Sequence, residues 1–242
     1  MMDEQSLQHT EVNVRNVTFK LMTYTRSLEL CARMNYETEN LDFIDAIEQN
    51  DVLYDLGACE GRFSIYAAKK GIRVISFEPE AKNYAVFTQN IALNHIRKDD
   101  LTAINAGVGA GNGKAVINIG QPWEGGHQKV VEHGEIRNDL NFNFVEHQEI
   151  ELIGIDSFVA EGNFPPPNYL KVDIDGSEMP FLAGAEKTLQ SAELKGILFE
   201  LSDTDPNFVN IISVLGQHGF IENRRYDVPN EPGLYNILFS KR

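Results

Sequence analysis

Two stretches of the chain concentrate residues whose types and spacing could do chemistry. The first is Val52-Leu53-Tyr54-Asp55-Leu56-Gly57-Ala58-Cys59-Glu60-Gly61-Arg62-Phe63, an apolar run that ends in an acid, turns on glycines and becomes helical. In an open α/β sheet, ligands bind at the carboxyl ends of strands, where a glycine turn lets backbone come close to them. The second is Lys171-Val172-Asp173-Ile174-Asp175-Gly176-Ser177-Glu178, three carboxylates and a lysine where a strand passes into a helix. Ser177 or Asp175 could cap that helix, and Glu178 suits its positive end. Asp173 is needed for neither task. It is therefore the candidate acid, able to accept a proton from a hydroxyl as that oxygen acquires a new bond.

Between these stretches, the run Ile72–Phe77 ends in Glu78-Pro79, with Glu78 about 20 residues beyond Gly57, where an acid can accept hydrogen bonds from ribose hydroxyls. The dinucleotide pattern G-x-G-x-x-G is absent, because Cys59 stands at the second glycine position and Gly57 and Gly61 are wrongly spaced to clamp a pyrophosphate. An adenosine cofactor without phosphates fits better. S-adenosyl-L-methionine (SAM) carries a sulfonium and an ammonium, which suit carboxylates such as Asp55, Glu60 and Asp173. Asp55 could equally hold the turn together rather than touch a ligand. Cys59 reads as a small packing residue, since nothing nearby supplies a base for it. Glu200, with Ser202 and Asp203 after it, is open between a substrate-site wall and a solvated loop. His127, His133 and His147 lack metal-ligand spacing and read as solvent-exposed, and His95 reads as a helix end. The residues propose no metal site.

The elements that must position these groups follow from periodicity. Residues 11–25 alternate well enough for a strand or hairpin, and 37–49 suit a helix with Thr38 as a possible cap. Val52–Leu56 alternates little, as expected for a parallel strand buried on both faces. A helix ending near Gly71, a strand over 72–77, a helix over 81–94 and a strand over 101–106 follow, which implies right-handed parallel crossovers. Residues 107–155 add strands over 114–119 and 148–153 around a polar loop, 121–147. Regular alternation resumes with a strand at 169–174, a helix over 177–190, a strand at 196–200, a helix near 206–218 and a terminal antiparallel pair over 219–225 and 233–240. The fold class is α/β, a mostly parallel sheet with an antiparallel carboxyl-terminal hairpin and extra strands around 110–153. Residues 1–50 read as a strand and helix extension packing on a core formed by 51–242.

A formal net charge of −15 over 242 residues disfavours nonspecific binding to nucleic acid or anionic membranes. No apolar run approaches the ~20 residues of a membrane helix, and the first residues lack the pattern of a signal peptide. Two cysteines make no disulfide framework. These features together suggest a cytoplasmic protein, and a homo-oligomer is compatible with them; the acceptor class, a small molecule or saccharide, comes only from the resemblance described next.

With these residues in hand, the chain resembles the FkbM family of SAM-dependent methyltransferases. The matching segments are Tyr54–Ser64, Phe77–Asn83, Asn90–Asn94, Gly154–Phe158 and, most particular to the family, Leu170–Glu178 with Leu182-Ala183-Gly184-Ala185. The resemblance implies a Rossmann-like class I methyltransferase fold with seven strands, and methyl transfer to a hydroxyl of a sugar, glycolipid or natural product. It places Asp55, Gly57 and Gly61 in the SAM loop, Glu78 at the ribose and Asp173 at the methyl-transfer site. Ala58, Phe63, Pro79 and Asn83, in the same segments, join the cofactor-binding set. Cys59 stands where the family commonly has Asn, and Asp175 where Glu is frequent. The loop 121–147 matches nothing in the family pattern, so the acceptor is not read from it. A NAD-dependent oxidoreductase on a similar sheet and a noncatalytic SAM-binding protein are the alternatives. The absence of G-x-G-x-x-G and of a Tyr-x-x-x-Lys pair counts against the former.

Overall fold

A computed structural model describes residues 8–132 and 143–242. His133 and part of the 121–147 loop lie outside these residues. The chain opens with the hairpin β1 (His9–Val14) and β2 (Val17–Met22), then α1 (Arg26–Cys31) and α2 (Thr38–Asp45). The strand–helix alternation follows: β3 (Val52–Leu56), α3 (Arg62–Lys69), β4 (Arg73–Phe77), α4 (Ala81–Leu93) and β5 (Leu101–Ile104). Four strands come next, β6 (Gly107–Val108), β7 (Gly113–Ile119), β8 (Lys129–Val131) and β9 (Glu146–Ile153). The rest is α5 (Ile155–Ala160), β10 (Tyr169–Val172), α6 (Glu178–Gly184), α7 (Glu186–Gln190), β11 (Gly196–Ser202), α8 (Phe208–Gln217), β12 (Phe220–Asp227) and β13 (Leu234–Lys241).

Seven strands form the main sheet in the order β12-β13-β11-β10-β3-β4-β5. Pairing is parallel from β11 through β10, β3 and β4 to β5, and β13 runs antiparallel to both β11 and β12. This is the expected mostly parallel α/β sheet with its antiparallel terminal hairpin. The extra strands form a second sheet of order β6-β9-β7-β8. From β3 the chain winds outward one way through β4 and β5, then returns to wind the other way from β10 through β11. The crevice between β3 and β10 is thus the topological switch point, where an open sheet binds ligands.

All five residues of β3 are buried. Tyr54 and Leu56 pack on one face with Phe77, Val172, Phe181 and Phe199, whereas Leu53 packs on the other with Val74, Tyr66 and Phe87. A strand enclosed on both sides has no polar face to show, which is why its sequence does not alternate. Burying each such side chain contributes roughly 1.5–3 kcal/mol. The amino-terminal hairpin shares the second core through Phe19 and Leu21. Asn90 and Asn94 on α4 fasten it. Asn90 Oδ1 accepts from Met22 N at 2.8 Å, and its Nδ2 donates to the Glu60 carbonyl at 2.9 Å. Asn94 accepts from Lys20 N and donates to its carbonyl.

Local details depart from the periodic reading. Glu37, not Thr38, occupies the N-cap of α2, with a left-handed φ of 52° and no side-chain cap. The helix expected over 177–190 breaks at Ala185, and the Asp156 carboxylate accepts from Lys187 N and Thr188 N at 2.8 Å where the second helix starts; Gly184 seats directly on the Gly109 carbonyl, where a Cβ would come within 2.0 Å of the oxygen. Helices α1 and α5, six residues each, are too short to show a period and were not expected. No helix among the described residues is long and apolar enough to cross a membrane.

Candidate active site

Strand β3 ends at Leu56, and the chain turns over Gly57, whose N–H and that of Ala58 both donate to the Phe77 carbonyl at 3.0 Å. Gly57 has φ 82°, and a Cβ on it would lie 1.8 Å from the Asp173 carbonyl oxygen. Gly61 has φ 85°, and its Cβ would lie 2.0 Å from the Phe87 ring. Both glycines are therefore required by close packing as well as by backbone angle. The Gly57 contact is the informative one. It presses the turn after β3 onto the end of β10, so Ala58 and Asp173 line the same space.

That space is a cavity of about 720 Å³ at the switch point. Gly57, Ala58, Phe63, Glu78, Pro79, Asn83 and Asp173 all line it. Asp55, Gly61 and Glu60 do not, and each has a packing reason. The Asp55 carboxylate lies behind the turn, accepting from the Ser64 hydroxyl and facing Lys171 Nζ at 3.6 Å. Gly61 backs onto Phe87, and Glu60 is tied to Arg62 at 3.0 Å. Burial works against the Glu60 charge, yet Arg62 holds its carboxyl below the usual range. Cys59, read as a packing residue, is half-buried and lines the cavity; its sulfur accepts from Asn83 Nδ2 at 3.1 Å, and burial pushes its thiol well above the usual range.

Glu78 is 5% exposed, and its two oxygens accept from Cys59 N at 2.8 Å and Glu80 N at 2.9 Å. These bonds fix the carboxylate's orientation and leave each oxygen a further lone pair. Burial pushes its pKa up to about 7, against which Lys129 and the two amides act. The wall beside it is apolar, with Phe77, Pro79, Ala106, Val108, Ile117 and Val131. The second sheet supplies part of this wall.

The other end of the cavity is acidic. Asp173, Asp175 and Glu200 line it, together with Glu37 from the amino-terminal segment and Glu231 from the turn between β12 and β13. Lys171 is buried among them, its Nζ 3.2 Å from Asp173 Oδ2. Burial opposes the lysine's charge, but Asp173 and Asp55 outweigh it and hold the pKa above the usual lysine range. Glu200 is pushed well above the usual carboxyl range, first by burial and then by the charge of Asp173. Glu200 is thus part of the cavity wall. Ser177, buried at the start of α6, lines the cavity with a hydroxyl that has no hydrogen-bond partner among the described residues. Glu37, Arg62, Lys129 and Trp123 were not singled out from sequence. Arg62 lies in the glycine-turn stretch itself, whereas Glu37, Lys129 and Trp123 come from segments without a local signature and reach the cavity only through tertiary packing.

The family profile described as "Methyltransferase FkbM domain" matches residues 55–222, more than half of the chain. The chain belongs to the FkbM methyltransferase family. Its cofactor is SAM. This FkbM-family chain is 26% identical over 148 residues to a hexuronic acid methyltransferase, AglP, of Haloferax volcanii, covering 61% of this chain and 55% of that protein. It thus spans just over half the length of that relative. It is also 22% identical over 194 residues to the 31-O-demethyl-FK506 methyltransferase FkbM of Streptomyces tacrolimicus, covering 72% of this chain and 74% of that one. Among solved structures, a precorrin-6y C5,15-methyltransferase from Geobacter metallireducens aligns with a TM-score of 0.49 at 11% identity, over 84% of this chain and 88% of that one.

The donor set in the cavity suits SAM. An apolar slot matches an adenine, the oriented Glu78 carboxylate matches a pair of hydroxyls, and the acidic end matches a sulfonium and an ammonium. The orphaned Ser177 hydroxyl offers a further polar contact on that wall.

Proposed function

We propose that this protein transfers the SAM methyl group to a hydroxyl oxygen of a sugar, glycolipid or natural-product acceptor. One observation carries the reading: a single cavity at the switch point joins an oriented carboxylate beside an apolar slot to a cluster of acids around Lys171. The two curated relatives, named for a hexuronic acid and for 31-O-demethyl-FK506, support an acceptor of this class.

When bound, SAM supplies a methyl group on a positively charged sulfur, open to in-line attack. The chain's part is positioning and proton transfer. In this reading Glu78 accepts hydrogen bonds from the ribose hydroxyls, while Pro79 and Ala58 flank the cofactor. Phe63 walls the pocket and Asn83 fixes the turn that closes over it. Asp55 and Gly61 act from behind, holding the turn and α3 in place. Asp173 accepts the proton of the attacking hydroxyl. Bound SAM would supply the methyl group for the new O–CH₃ bond as its S–CH₃ bond broke, with S-adenosylhomocysteine as the product, and Asp173 would pass the hydroxyl proton to solvent. Lys171 Nζ, 3.2 Å from Asp173 Oδ2, orients that carboxylate at the cavity wall. Within the described residues, the segment before β3 serves as an extension that helps complete the pocket through Tyr36 and Glu37.

The test is calorimetric binding of S-adenosylhomocysteine together with methyl transfer to a panel of hydroxylated acceptors. Turnover that Asp173→Asn removes and binding that Glu78→Ala weakens are expected. Tight binding with no transfer to any acceptor would favour a noncatalytic SAM-binding protein. If both variants leave binding and turnover unchanged, the residue roles are wrong.

A further inference from the structure

Two independent features of the cavity mouth describe what it receives. The first is the turn 121–127. Trp123 lines the cavity and is 45% exposed, which is unusual for the largest apolar side chain. It does not swing freely, because its indole Nε1 donates to Ser27 Oγ at 2.9 Å. The turn beneath it is held from several sides. Thr25 Oγ1 donates to the Glu124 carbonyl at 2.9 Å, Lys82 Nζ to the Pro122 carbonyl at 2.6 Å, and Gly125 N to Asn83 Oδ1 at 2.9 Å. Such fastening holds an apolar, planar face at the opening at low entropic cost.

The second feature is charge. Among the described residues, the lysines and arginines lining the cavity are Arg62, Lys129 and Lys171. Each is held by carboxylates: Arg62 by Glu60 and Glu37, Lys129 by Glu80 at 3.0 Å, and Lys171 by Asp173 and Asp55. The acidic end therefore offers acceptors for hydroxyl donors and no uncommitted lysine or arginine for an anion.

We propose that Trp123 is the stacking platform of the acceptor subsite, and that the acceptor is a saccharide ring without an acidic group. The inference rests on the hydroxyl-transfer reading above and narrows it. The apolar face of a sugar ring covers the indole, while its hydroxyls reach the carboxylates around Asp173. A uronate would bring its own negative charge against that wall, where the lysines and arginines are already paired and, among the described lining residues, His127 alone has an imidazole to receive it. This separates the pocket from one suited to a hexuronic acid, the substrate class in the name of the Haloferax volcanii relative.

Trp123 is the only tryptophan in the chain, so its emission reports the platform directly. The experiment titrates the S-adenosylhomocysteine complex with a neutral methyl hexoside, an amino hexoside and a hexuronate. The expected result is a saturable change in emission with the first two, and at least tenfold weaker binding of the hexuronate. In turnover assays Trp123→Ala should raise acceptor KM about tenfold or more with S-adenosylhomocysteine affinity unchanged, and Trp123→Phe should recover much of the loss. A hexuronate that binds as tightly as the neutral hexoside overturns the charge assignment alone. An unchanged KM in Trp123→Ala overturns the platform alone. If no saccharide alters the emission or is methylated while S-adenosylhomocysteine binds, both this inference and the saccharide acceptor fall.

Discussion

In the proposed reading, the turn and carboxylate of the cofactor end come from one stretch, Gly57 to Asn83, at the ends of two adjacent parallel strands, and the second sheet completes its apolar wall. The proposed acceptor end gathers Glu37, Asp173, Glu200 and Glu231, with Trp123 as its proposed platform, from segments scattered along the chain. The first is held by backbone: Gly57 and Ala58 share the Phe77 carbonyl, and Glu78 is clamped by two amides. The second is held by side chains, through Asn83, Ser27, Lys171 and Arg62. A site made of backbone geometry tolerates little change, whereas one made of side chains can be rebuilt for another acceptor.

Substitutions can break that contrast. The largest effect is expected from Gly57→Ala. A Cβ there meets backbone oxygen at 1.8 Å in a left-handed conformation, so a loss above about 4 kcal/mol or failure to fold should appear in thermal unfolding. Gly61→Ala meets the Phe87 ring instead, and Phe87→Leu should recover part of its loss in a double-mutant cycle. Asp173→Asn should lower kcat by roughly 10²–10⁴, the usual range for a general base, while S-adenosylhomocysteine affinity changes little. Glu78→Ala should do the reverse, weakening that ligand by roughly ten- to several-hundredfold through lost hydrogen bonds to a charged group.

A pH series sharpens the same division. Glu78 titrates near 7 in the folded chain, above its ordinary range, because it is buried. Its ionised form is the better acceptor for ribose hydroxyls. S-adenosylhomocysteine affinity should therefore rise with pH and level off above about 7, and Glu78→Gln should flatten the rise. The linkage has the opposite sign for the free protein. The folded state holds this proton more tightly than the unfolded state, so the contribution to stability is greatest at low pH and is lost as pH rises toward 7. The slope is at most about 1.4 kcal/mol per pH unit, and Glu78→Gln should reduce it. The smallest effect is expected at the margin. Asn83→Ala should cost about 1–2 kcal/mol in thermal unfolding and raise acceptor KM, because the turn bearing Trp123 loses its bonds to Asn83.

This division also explains what could be read from sequence. Strands buried on both faces, glycines forced by packing and an acid at the end of β4 leave local marks, so β3, β4 and the turn between β3 and α3 were legible. So was the Lys171–Glu178 run, because four charges at a strand end are hard to explain as a turn. Glu37 and Trp123 have no such mark. Glu37 reaches the cavity because Arg62 is buried between it and Glu60, and Trp123 because Thr25, Ser27, Lys82 and Asn83 hold its turn. For Asp55, its place before the glycines left ligand contact and a structural role in the turn both open, and its carboxylate faces Ser64 and Lys171 behind the turn.

The most direct test of the two-ended cavity is a crystal structure with S-adenosylhomocysteine. The predicted result has the ribose hydroxyls on the Glu78 carboxylate, the adenine in the apolar slot by Pro79 and Val108, and the sulfur facing Asp173 with open space toward Trp123. A ligand whose ribose lies away from Glu78, or whose sulfur points away from Asp173, would contradict the account.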